Sequence, residues 1–390
     1  MLKPTQCVHA GTLKNTIHQG VNSPIFTSTS SGYLDPEVDV LVYPRHFNTP
    51  NQKAVADKLC ALENGEAGLI FSSGMAAIST TLFALLQKGD HAVFQNDLYG
   101  GTYRHAAFNL QKYGIDYTFV DAKNLEAVEE AIQSNTRLIY IETPSNPLLK
   151  ITDIAAVAAI AKRKNLVSVI DNTFATPINQ NPLDLGMDIV IHSGTKYLGG
   201  HSDICCGAVI TSCEIAKRIE SCAHQLGGSL NASTCYLLER SLKTLALRVT
   251  RQNENALLIS EYLLGCPQIE TVNYPGLENH NGHELAVRQM GGFGGMLSFE
   301  FKLNPKSNAV SAKAKENSRR FLKHLKVIRP APSLGGVETI VCVPADTSHA
   351  EVPAKEREAM GIKDQLLRLS VGIEDPNDLI SDIEQALKAF

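Results

Sequence analysis

The sequence predicts an α/β protein: a mainly parallel seven-stranded sheet with flanking helices, followed by a smaller α+β C-terminal domain. Two observations predict it. From about residue 67, short apolar runs rich in β-branched residues alternate with stretches of helical spacing, the pattern of βαβ units. Beyond residue 264 that strict alternation stops, and strand-like runs lie among helical ones. The length agrees, since 390 residues suggest two or three units of roughly 100–200 residues each.

Residues 1–60 are rich in Pro, Asn, Ser and Thr with little periodicity, and read as an N-terminal arm of the kind that packs against a neighbour. A large domain is expected over 61–240. Its strands are Ala67–Phe71, His91–Gln95, Tyr117–Val120, Arg137–Glu142, Leu166–Ile170, Asp188–His192 and Gly207–Thr211. Between them, Ala76–Leu86, Leu125–Gln133 and Asp153–Lys164 set apolar residues three and four apart, which predicts helices. Residues 231–264 continue that spacing without proline and are expected to bridge two domains. The C-terminal domain, 241–390, carries strand-like Met296–Phe301, Thr339–Val343 and Leu367–Val371 among helical Ala312–Leu325 and Leu379–Leu387.

Composition excludes several function classes. The net charge of −4, with no basic run, argues against a nucleic-acid surface and for a small-molecule partner. The longest wholly apolar run, Ile154–Ala161, falls far short of the roughly 20 residues of a membrane helix. The N-terminus has no apolar stretch of signal-peptide length, so a cytoplasmic location is expected. Nine cysteines without a CxxC pair read as buried thiols rather than a disulfide framework. His192, His201, His280 and His283 lack an accompanying acidic or cysteine ligand set, so no metal is expected. Nor does a G-x-G-x-x-G follow an early strand, which argues against a dinucleotide oxidoreductase.

Ligands of open α/β sheets bind outside the carboxyl ends of the strands. Five such ends here carry chemistry: Ser72-Ser73-Gly74-Met75, Asn96-Asp97-Leu98-Tyr99, Thr143-Pro144-Ser145-Asn146, Asp171-Asn172-Thr173 and Ser193-Gly194-Thr195-Lys196. Together they offer an amine, a carboxylate, a phenol, hydroxyls and a glycine-flanked helix start.

The stretch from Asp188 through Ser193-Gly-Thr-Lys196 to Ser202 resembles the lysine signature of the pyridoxal-phosphate enzymes of cysteine and methionine metabolism, and similarity runs from the arm to about Leu387. This resemblance implies the fold of the fold-type-I pyridoxal-phosphate enzymes, pyridoxal 5′-phosphate as cofactor and an amino-acid substrate. It implies Lys196 as the Schiff-base lysine, Asp171 as partner of the pyridine nitrogen and Tyr99 as the ring-stacking tyrosine that assists proton transfer. Gly74, Met75, Ser193 and Thr195 would hold the phosphate, Thr173 and Asn146 would contact the cofactor, and Arg368, Ser333 and Arg104 would meet the substrate. A planar guanidinium such as Arg368 can grip an α-carboxylate with two parallel hydrogen bonds. Tyr43 and Arg45 resemble arm residues that reach the phosphate of a neighbouring subunit, implying a homotetramer, a dimer of dimers with shared sites. This chain departs from the family's Asn-Pro-Thr after them, reading Asn48-Thr49-Pro50.

The same residues serve β-elimination, γ-elimination and γ-replacement, so the reaction stays open among cystathionine β-lyase, γ-lyase, and γ-synthase or O-acylhomoserine sulfhydrylase. A non-catalytic binding relative is the rival from another class. Arg104, matching a family arginine that meets a distal carboxylate, and Gly101 lean towards cystathionine over methionine, and Pro332 leans towards β-elimination. Gly101 stands where methionine γ-lyases typically have cysteine. Pro332, before Ser333, stands where many γ-lyases and γ-synthases carry glutamate.

Overall fold

A computed structural model describes residues 1–14, 18–34, 41–302, 310–350 and 352–388. The large sheet contains β1 (Ala67–Phe71), β2 (His91–Gln95), β3 (Asp116–Val120), β4 (Thr136–Glu142), β5 (Val167–Asp171), β6 (Ile189–Ser193) and β7 (Gly207–Thr211). Their spatial order is β1-β7-β6-β5-β4-β2-β3, parallel from β6 through β3, with β7 antiparallel to both its neighbours. The inner strands read as largely apolar runs because both their faces are covered, whereas the edge strand β3 stays partly exposed. Alternate residues supply two cores: Phe94, Tyr140, Val169, Ile191 and Val209 on one side, Val93, Ile139, Ile170 and Val190 on the other.

The second sheet has the order β10-β11-β12-β9-β8, built from β8 (Ile269–Asn273), β9 (Met296–Phe301), β10 (Arg329–Pro330), β11 (Ile340–Cys342) and β12 (Leu367–Ser370). Its core gathers Phe299, Phe301, Phe321 and Leu369. The helical stretch expected over 231–264 forms two helices, Ala232–Leu242 and Leu245–Leu264. Arg248, buried, explains how the break is tolerated: its guanidinium donates to Ser241 O at 2.9 Å and Tyr197 O at 2.7 Å, satisfying a carbonyl the helix end releases. The second helix packs Leu245 and Val249 against the large-sheet side and Ile259 and Leu263 against the small sheet.

The N-terminal segment differs from its reading as an irregular arm. Helix α1 spans Lys3–His9, and helix α2 spans Pro50–Glu63. Pro50 sits at the first helical position, and Gln52 Oε1 accepts from the Thr49 N–H at 3.0 Å and the Thr49 hydroxyl at 2.8 Å, an N-terminal cap. Its periodicity escapes a sequence reading because α2 buries polar residues, Asn51, Gln52, Lys58 and Glu63, along with its apolar ones. Two of these side chains tie distant segments to the helix. Lys58 Nζ donates to Cys7 O at 3.1 Å, holding α1, and Gln52 Nε2 donates to Leu230 O at 2.8 Å.

Candidate active site

Since β2, β4, β5 and β6 run parallel, their carboxyl ends share one edge of the sheet. β1 also points that way, being antiparallel to β7 as β6 is, and it delivers helix α3 (Gly74–Leu85) to the same edge. Across from that edge stand β12 and the loop carrying Ser333. A cavity of about 600 Å³ lies between them.

Lys196 follows β6 in a tight turn in which its N–H donates to Ser193 O at 3.1 Å and its carbonyl accepts from Gly200 N–H at 2.7 Å. Gly200 has φ +67°, and a Cβ there would lie 2.1 Å from Arg248 Nη1, so this turn requires glycine. Lys196 Nζ donates to Ser333 Oγ at 2.8 Å. Burial, and secondarily the charge of Arg368, lowers its pKa to about 8.

Asp171 ends β5, buried on the cavity wall. Its Oδ1 accepts the Thr173 N–H at 3.0 Å, and Thr173 Oγ1 accepts the Ser193 N–H at 2.8 Å, tying the ends of β5 and β6 together. Burial raises the Asp171 pKa; the Thr173 hydrogen bonds and His192 oppose it. His192 is itself buried, 2.6 Å from Glu63 Oε1 at the end of α2.

Ser73 caps α3, accepting from the Ala76 N–H at 3.0 Å through its hydroxyl and from the Ala77 N–H through its carbonyl. The remaining first-turn N–H groups, on Gly74 and Met75, are the ones a helix start leaves for an anion. A Cβ on Gly74 would come within 2.9 Å of Ser193 Cβ, so glycine lets this helix end face Ser193 and Thr195 closely. A reactive amine, a buried carboxylate and a hydroxyl-flanked helix start are the groups pyridoxal phosphate requires, and the residues present fit it.

On the opposite wall, Arg368 donates through Nη1 to Asn146 Oδ1 at 2.9 Å and through Nη2 to Ser333 O at 3.0 Å. Its buried Nε finds no acceptor among the described residues. Ser333 holds a left-handed φ of +79°, a conformation costing about 1–3 kcal/mol for a non-glycine residue. The bonds from Lys196 and Arg368 fix it there. Tyr99 precedes helix α4 (Gly100–Arg104), lines the cavity and donates its backbone N–H to Glu142 Oε2 at 2.9 Å.

Of the candidate residues the cavity gathers all but Arg104, Tyr43 and Arg45, and the last two are expected at a neighbour's site rather than at this one. Arg104 is exposed at the end of α4, outside the lining. Tyr43 and Arg45 also lie outside, with the Arg45 guanidinium 5.6 Å from the Tyr43 ring centroid and donating to His224 O. Sequence reasoning assigned no role to Glu142, Cys205, Thr347 and Ser348, which also line it. Glu142 could have been found as an acid at a strand's carboxyl end; Thr347 and Ser348 sit in no motif.

Residues 4–388 match the family described as Cys/Met metabolism PLP-dependent enzyme. The chain is 45% identical to "Cystathionine gamma-lyase" of Bacillus subtilis (strain 168), covering 100% of both chains. It is 43% identical to "Cystathionine beta-lyase" of Lactococcus lactis subsp. cremoris, covering 98% of each. Among solved structures it is similar to cystathionine gamma-lyase from Lactobacillus plantarum complexed with L-serine, with a TM-score of 0.93, 40% identity and coverage of 100% and 99%.

Proposed function

The chain belongs to the Cys/Met metabolism PLP-dependent enzymes, and from that premise we propose that it is a carbon–sulfur lyase cleaving cystathionine by β-elimination. Bound in the cavity, pyridoxal phosphate supplies an electron sink for the pair released when a Cα–H bond breaks. Lys196 would anchor the cofactor and serve as the base that takes the Cα proton. Its lowered pKa gives it a neutral fraction near neutral pH, and Ser333 Oγ aims it. Asp171 would pair with the ring nitrogen and keep it charged. Gly74, Met75, Ser193 and Thr195 would hold the phosphate, and Thr173 and Asn146 would contact the cofactor. Arg368 binds the substrate α-carboxylate, where its unpartnered Nε gains an acceptor. Tyr99, on the cavity wall, would hand a proton to the departing sulfur. Water then completes the balance: cystathionine and water give homocysteine, pyruvate and ammonia.

Pro332 carries the choice of β-elimination. It lines the cavity beside Ser333 and has neither N–H nor side-chain acceptor, so no carboxylate there can hold a distal ammonium for γ-chemistry. The 45% identity to a cystathionine γ-lyase supports γ-elimination as a second reading. Mass spectrometry of cystathionine turnover separates them: pyruvate with homocysteine supports β-elimination, and 2-oxobutyrate with cysteine overturns it. Cystathionine formed from an acylhomoserine and cysteine, with little breakdown, establishes γ-replacement instead.

Our reading also makes the working unit a cytoplasmic homotetramer with sites shared between subunits. Arg45 and Tyr43 lie outside their own cavity, and Val21, Ile25, Phe26, Tyr33, Leu34 and Leu41 expose apolar side chains along the same N-terminal segment, as a surface covered by another copy does. All nine thiols are free, which suits a reducing compartment.

A further inference from the structure

Glu142 stands at the carboxyl end of β4, paired in register with Asp171 on β5. In-register neighbours leave the same face of a sheet, with backbones about 4.8 Å apart. Both side chains line the cavity, and both residues are buried, 5% and 6% exposed. Two carboxyls buried side by side on one face repel each other if both ionise, which favours a proton on one of them.

The surroundings decide which. Asp171 has the Thr173 N–H on Oδ1 and the His192–Glu63 pair at the end of β6 and α2. Glu142 faces Asp171 on one side and Asp97, from the loop after β2, on another; its Oε2 takes the Tyr99 N–H. Arg368, from β12, is engaged with Asn146 and Ser333 O, and Lys196 with Ser333 Oγ. Tyr140, two residues earlier on β4, adds a buried phenol on the same face, and His349 packs buried near Arg368. Burial first, then Asp171, drives the Glu142 pKa well above the usual carboxylate range, and the Tyr99 N–H and the Arg368 charge oppose that rise without reversing it.

We propose that Glu142 is a positioning residue, the neutral acid of the pair, which holds Tyr99 through its backbone N–H and leaves the negative charge on Asp171. Its proton is what lets Asp171 stay ionised in a buried site. Deprotonating Glu142 sets a second charge beside Asp171 and raises that group's own hold on a proton. The inference rests on the reading of this cavity as the cofactor site, but its test does not depend on which product the enzyme makes.

Infrared spectra of the full chain carry the test. At pH 7 a protonated carboxylic-acid band is expected that shifts in D₂O, shifts again with ¹³C-carboxyl glutamate labelling, and vanishes in Glu142→Gln. Absence of the band in the wild-type chain, its response to labelled aspartate alone, or its persistence unchanged in Glu142→Gln overturns the proposal. The isotope experiment stands on the wild-type chain, should the variant fail to fold. In the holoenzyme, the alkaline limb of kcat/KM should move by about one pH unit or disappear in Glu142→Gln. A purely structural glutamate would lower activity evenly across pH, and a profile of unchanged shape overturns the positioning role.

Discussion

Lys196 holds its proton less firmly than a surface lysine, because burial and the neighbouring Arg368 charge both disfavour the ammonium. The sign follows from linkage. With the folded-state pKa lowered to about 8 from 10.5, the unfolded chain binds more protons between those values, so this group favours the folded state increasingly as pH rises through that window. The rate at which the cofactor-free chain takes up pyridoxal phosphate should therefore rise with pH around a midpoint near 8, followed by absorbance; a midpoint above 10 would contradict the environment described. Lys196→Ala should lose turnover by on the order of 10³-fold or more together with the bound cofactor's yellow absorbance. Lys196 and Asp171 were legible as residues of one cavity because each stands at or just after a strand's carboxyl end inside a distinctive local motif. Glu142 was visible only as an acid at a strand's carboxyl end; its pairing with Asp171 is a matter of register between distant stretches of chain. Arg104 shows the reverse: its motif position matched, while the fold leaves it exposed outside the cavity lining.

Helix α2 marks where pattern reading fails at the scale of elements. β2 and β7 announce themselves by unbroken burial, whereas α2 carries its polar residues inward to tie α1 and the Leu230 region, which erases the apolar stripe that reveals a helix. Its cap remains visible as Thr49-Pro50 followed by Gln52. Thr49→Ala should cost about 1 kcal/mol and lower Tm by roughly 1–3 °C in calorimetry. No measurable shift would show the cap to be dispensable. Helix α4 offers a more functional test, because a Cβ on Gly101 would meet Tyr99 Cε1 at 2.6 Å and Met75 Sδ at 3.0 Å. Gly101→Ala should push the Tyr99 ring aside, lowering kcat/KM about tenfold with little change in Tm. Wild-type kinetics in that variant would mean the ring's placement does not matter.

The whole molecule is two sheets meeting over one cavity, with the helix Leu245–Leu264 packed against both. Alternation along the sequence made this architecture legible, whereas the exposure of Val21, Ile25, Phe26, Tyr33, Leu34 and Leu41 becomes evident only once the chain is folded. If Arg45 serves a neighbour's site, mixing inactive Arg45→Ala and Lys196→Ala chains should restore activity in hybrid oligomers; no recovery despite demonstrated subunit exchange would refute sharing. The claim on which all else depends is that the amine at the end of β6 is the cofactor's anchor. Borohydride reduction of the holoenzyme followed by peptide mass mapping tests it directly: the account predicts a pyridoxyl group on the peptide carrying Lys196, and a label on another lysine, or on none, would contradict it.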